Sequence, residues 1–80
     1  MTLKPITSEK AVKMIEIDNT LVFQTGMKAR KADIKLEVEK LFSVKVKKVR
    51  THMQKNFKYA YVQLNKENPA IDVATKLGMI

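Results

Sequence analysis

The stretch Lys40–Lys66, KLFSVKVKKVRTHMQKNFKYAYVQLNK, carries an alternation that slips once, and the slip decides how the segment folds. Val44 and Val46 alternate with Lys45 and Lys47, the pattern of a strand with one apolar face. After Lys48 the inward-type residues move to odd positions: Val49, Thr51 and Met53. One extra residue near Lys47-Lys48, a β-bulge, restores a single buried face. Gln54-Lys55-Asn56 then reads as a turn. The returning strand puts Ala60, Val62 and Leu64 on one face and Phe57, Tyr59 and Tyr61 on the other. The segment from Val44 onward is therefore a bulged hairpin.

The same stretch holds eight cations: Lys40, Lys45, Lys47, Lys48, Arg50, Lys55, Lys58 and Lys66. No Asp or Glu falls between Glu39 and Glu67. Elsewhere the remaining eight Lys and Arg are matched by eight acids, so the whole net charge of +8 originates here. Lysine on an edge strand discourages aggregation, which accounts for one or two of these cations. A solvated face normally mixes signs, so eight without an acid point to a polyanionic partner, a nucleic acid or an acidic protein surface.

Outward from the hairpin, Pro5 holds Lys4 out of the helical region, so the chain opens extended. Thr7 or Ser8 caps a helix over about residues 8–17, with Glu9 at its positive dipole end and Ala11, Val12 and Ile15 as its apolar stripe. Asp18-Asn19 is a turn pair. Thr20-Leu21-Val22-Phe23-Gln24 is a short strand buried on both faces. Beyond Gly26, Ile34, Val38, Leu41 and Phe42 recur at helical spacing over roughly 30–42. Pro69 opens a last helix, packed through Ile71, Ala74 and Leu77 and ended by Gly78. The order extended–α–β–α–β–β–α gives an α+β sandwich, helices on a small antiparallel sheet, in one domain spanning residues 1–80.

Composition narrows the chemistry. The 80 residues include no cysteine, which excludes disulfides, thiolate metal sites and cysteine nucleophiles, and leans towards a reducing cytosol. The apolar runs are too short to span a bilayer, so no membrane insertion is expected. His52 is the one histidine and has no carboxylate near it in sequence, so it reads as a solvent- or RNA-facing residue before a general base. Asp33 and Glu37 at i, i+4 read as lysine partners. No phosphate-binding glycine loop, nucleophile motif or metal-ligand cluster occurs, so catalytic and metal-binding residues are expected to be absent, as is any cofactor. Phe57, Tyr59 and Tyr61 fit either a second hydrophobic layer under a helix or stacking on nucleotide bases.

The ordered set Ile6-Thr7-Ser8-Glu9-Lys10-Ala11, Asp18-Asn19-Thr20-Leu21-Val22-Phe23, Lys28-Ala29-Arg30-Lys31, Val44-Lys45-Val46, Ala60-Tyr61-Val62-Gln63-Leu64 and Leu77-Gly78-Met79-Ile80 resembles a known family. It is that of the large-subunit ribosomal protein numbered twenty-three in the universal scheme, in its short archaeal form. The resemblance implies a non-catalytic constituent of the cytoplasmic ribosome, and a monomer is expected when the chain is free. It implies binding to the third domain of the large rRNA near the mouth of the polypeptide exit tunnel, among neighbouring ribosomal proteins. It also implies a four-stranded antiparallel sheet, with a first strand near Leu3–Ile6. On that reading Lys45, Lys47, Lys48, Arg50, Lys55 and Lys58 pair with phosphates, and Arg50 is shaped for bidentate contact. Lys10, Lys28, Arg30 and Lys31 extend the footprint, and Tyr59 and His52 stack on or hydrogen-bond to exposed nucleotides. Family members help dock factors that meet the nascent chain. Glu9 is the matching acidic residue, with the signal recognition particle as an expected partner. Departures fall at Arg50, where the family often has Asn, at Lys58-Tyr59, where it often has two lysines, and at the glycine-free turn, where Asn56 is expected to supply the left-handed residue. Rival readings are a nucleic-acid-binding module outside the ribosome and a small basic protein-interaction domain.

Overall fold

Pro5 keeps the chain extended at its start, and Leu3–Pro5 forms a short strand, β1. The computed structural model describes residues 3–78. Ser8 then caps helix α1 (Glu9–Asp18), its Oγ accepting from the Ala11 N–H at 3.2 Å. Asn19 stops the helix in the left-handed region (φ 51°), where its backbone N–H reaches back to the Met14 carbonyl. Strand β2 (Thr20–Thr25) follows, buried at five of its six positions as its continuous apolar run demands. Helix α2 (Lys31–Phe42) ends at a left-handed Ser43. Strands β3 (Val46–Gln54) and β4 (Phe57–Leu64) make the hairpin, and helix α3 (Ala70–Lys76) runs from Pro69 to a left-handed Gly78.

The sheet is antiparallel throughout, in the order β1-β2-β4-β3. The expected bulge is present. Val46 faces Leu64 and Lys48 faces Gln63, leaving Lys47 as the extra residue. The strand begins two residues later than expected, at Val46. The Lys45 N–H donates to the Asn68 side chain (2.8 Å) and the Val46 N–H to Glu39 Oε2 (3.0 Å), so side chains take the first donors before the ladder begins.

One face of the sheet supplies Leu21, Phe23, Val46, Ala60, Val62 and Leu64 to the core. The helices add Ile15, Ile34, Val38, Ala70, Val73 and Ala74, and Phe42 stacks on Phe23 with ring centroids 6.3 Å apart. Two helix stripes are narrower than their spacing suggested. Leu41 is 57% exposed, leaving Ile34, Val38 and Phe42 as the packed edge of α2. Ile71 is 38% exposed, because α3 lies down on the small Ala70–Val73–Ala74 edge instead. Leu36, off the α2 stripe, is exposed, and nothing in the structure explains it.

The hairpin closes through two residues, Lys55 and Asn56, between the paired Gln54 and Phe57. The left-handed residue is Lys55 (φ 55°) and not Asn56. Two-residue hairpin loops need positive φ at their first position to match the strand twist, and a residue with a Cβ is strained there by about 1 kcal/mol. Lys55→Gly is therefore expected to raise unfolding stability by roughly 0.5–1 kcal/mol. A lowered urea midpoint would contradict it.

Candidate nucleic-acid interface

Beyond the bulge, β3 turns Lys48, Arg50, His52 and Gln54 to the face opposite the core, and all four are exposed. Alternate residues along a strand stand about 6.8 Å apart, so the row is an evenly spaced line of polar heads. Register places Gln63, Tyr61, Tyr59 and Phe57 of β4 directly beside them. Thr20, Val22 and Gln24 of β2 come next, and Lys4 of β1 stands beside Gln24. The four strands contain no acidic residue. Helix α1 borders this face: its Lys10 joins Arg50, His52 and Tyr61 around an open depression.

Arg50 lies over the Tyr61 ring, its guanidinium carbon 5.7 Å from the centroid. A cation–π contact of this kind restrains the side chain while leaving its edge N–H groups free for an oxygen acceptor. Tyr59 and Tyr61 are half-buried and Phe57 is 48% exposed. Ile6 and α1, through Lys10, Ala11 and Met14, border the two tyrosines around a depression, so the tyrosines form an open aromatic floor and not a sealed second core.

The structure gathers some of the expected residues here and disperses others. Lys10, Lys48, Arg50, His52 and Tyr59 share the face. Lys47, the extra residue of the bulge, lines a depression at the far end of the sheet with Lys66, Asp18, Ile17 and Pro69. Lys45 is exposed just ahead of β3, and Lys55 sits at the hairpin tip. Lys28, Arg30 and Lys31 lie in the β2–α2 connection and at the helix start. Lys58 stands apart. It is half-buried on the core side of β4, and its Nζ donates to the Ala29 carbonyl at 2.5 Å, fastening the connection to the sheet. Its ammonium is engaged within the protein and is not presented with the row. Tyr61, which the sequence allowed as a stacking residue without assigning it to the site, shares the parity of Tyr59 and pairs with Arg50.

Glu9 is exposed in the first turn of α1. Among the described residues no group of three His, Cys, Asp or Glu is placed to hold a metal ion, and no helix is long and apolar enough to cross a membrane.

The sequence model of the family described as Ribosomal protein L23 matches residues 1–73. The chain belongs to the ribosomal protein L23 family. The large ribosomal subunit protein uL23 of Saccharomyces cerevisiae is 47% identical over 78 residues, covering 96% of this chain and 55% of the relative. The uL23B and uL23A proteins of Schizosaccharomyces pombe are each 46% identical over 79 residues, covering 98% of this chain and 56% of theirs. The chain thus spans about half the length of these curated relatives of the L23 family. The family's four-stranded sheet and its short first strand are both present, as the resemblance implied.

Proposed function

We propose that this chain, as one unit over residues 1–80, is a structural constituent of the large ribosomal subunit that binds rRNA through the open sheet face. The observation that carries the reading is an acid-free sheet face on which Lys48, Arg50 and His52 line up beside Tyr59 and Tyr61. Phosphates meet Lys48 and the fork of Arg50, which Tyr61 restrains, and His52 and Tyr59 meet sugars or exposed bases. Such contacts select rRNA by its folded shape more than by base sequence. Lys10 widens the footprint on one side, and Lys47 with Lys66 widens it at the far end.

The finer placement rests on the family: the third domain of the large rRNA, at the rim of the exit tunnel of a cytoplasmic ribosome. There the exposed Glu9 belongs to the surface that receives nascent-chain factors such as the signal recognition particle.

Co-sedimentation with purified large subunits, before and after complete nuclease digestion, tests the main reading. Association is expected to disappear with the RNA, and binding that survives digestion favours a protein partner. Crosslinks mapped outside the third domain would overturn the finer placement.

A further inference from the structure

Two depressions lie side by side on the open face. The first is apolar and aromatic, formed by Ile6, Ala11, Met14, Val22, Tyr59 and Tyr61, with Ser8, Lys10 and Gln54 completing its lining. The second is cationic, formed by Lys10, Arg50 and His52 against Tyr61. They share Lys10 and Tyr61. An occupant matched to both has a flat apolar body joined to an anionic group, with a polar edge for the Gln54 amide.

Resting on the rRNA-binding reading, we infer that the paired depressions hold one unstacked nucleotide of the bound RNA. The base lies against Tyr59 and Tyr61 under α1, its phosphate lies between Lys10 and Arg50, and His52 stands beside its sugar. A base inside a helix offers neither of its faces, because its neighbours cover them. Only a bulged or looped-out nucleotide enters the first depression, so the site selects a local RNA shape that phosphate pairing alone does not. Gln54 offers both a donor and an acceptor to the base edge.

The protein carries its own reporter. It has no tryptophan, and its two tyrosines are Tyr59 and Tyr61, so its intrinsic fluorescence arises from the proposed base site. The test compares an RNA hairpin bearing one bulged nucleotide with the same hairpin lacking it. The bulged RNA is expected to bind about tenfold more tightly, the effect of one base stacked on an aromatic side chain, and to quench the tyrosine emission. Tyr59→Leu removes the preference. Met14→Glu, which puts a carboxylate against the base on a partly exposed helix position, removes it by a second route, with thermal melting to check that each variant folds. Equal affinity and equal quenching by the two hairpins overturn the nucleotide site while leaving phosphate binding in place. A preference retained by both variants overturns it as well. Failure of both RNAs to bind overturns the rRNA reading and this inference with it.

Discussion

Asn19→Asp lowers the unfolding free energy by about 3–5 kcal/mol, measured by urea denaturation at neutral pH. The Asn19 amide is the joint between distant parts of the chain. Its Nδ2 donates to the carbonyls of Leu64 (3.1 Å), Asn65 (3.1 Å) and Asn68 (3.2 Å), and its Oδ1 accepts from the Ala70 N–H at 2.6 Å. Its backbone closes α1, and its own carbonyl accepts from the Leu64 N–H at 3.0 Å. One residue thus ties α1 to the end of β4 and to the start of α3. The substitution keeps nearly the same shape but turns an oxygen toward three carbonyls, with no proton to share at neutral pH. A domain of 80 residues has roughly 4–12 kcal/mol in total, so the loss takes much of it. Protonation gives the introduced carboxyl a donor, which raises its folded pKa above its unfolded value. The defect is therefore full only above that raised pKa, shrinks as pH falls from there towards about 4, and is smallest below about 4. Asn19→Gly keeps the left-handed backbone (φ 51°) and loses only the side-chain bonds, costing about 2–3 kcal/mol. If Asn19→Gly unfolds at the wild-type midpoint, these bonds contribute nothing net.

How legible these features were depends on the distance over which each is decided. The slip between Val46 and Val49 reports the bulge directly, since a strand's faces alternate every residue and only an inserted residue can reset them. The inward set Ala60, Val62 and Leu64 follows from the same parity. That parity also placed Lys58 on the core side, but its charge drew it into the phosphate-binding set. The Ala29 carbonyl that receives it is 29 residues away. Asp18-Asn19 read as a turn because asparagine tolerates the left-handed region. Its bonds to Leu64, Asn65, Asn68 and Ala70 span 45 to 51 residues and leave no local mark. Leu41 and Ile71 share one cause: spacing tells which side of a helix is apolar, while the partner's shape decides how much of that side is covered. The site was legible as a charge excess. Which cations share a face became readable only with the register that sets Arg50 beside Tyr61 and His52 beside Tyr59.

Replacing Lys10, Lys48 and Arg50 together by Gln is expected to weaken binding to a large-subunit rRNA fragment by roughly a hundred- to a thousandfold at low salt. Each phosphate contact contributes about 0.7–0.9 to the slope of log affinity against log salt, so the slope flattens by about 2–3. Loss of binding alone would not locate the contact, because any three charges removed from a protein of net charge +8 weaken its long-range attraction. The decisive comparison is Lys35, Lys40 and Lys76 replaced together by Gln. These are exposed on α2 and α3, which pack on the other side of the sheet, and their removal changes the net charge equally. Long-range attraction falls alike in the two variants, while condensed counterions are released only where cations touch phosphates. The control triple is therefore expected to shift affinity by less than about tenfold and to leave the slope within about 0.5 of the wild type. Lys58→Gln separates the two kinds of lysine within the hairpin itself. It loses the tie to the Ala29 carbonyl, so its thermal midpoint falls while its salt slope stays near the wild-type value. Equal slopes for the two triples would place the RNA elsewhere on the molecule, and a flattened slope for Lys58→Gln would return that ammonium to the contact surface.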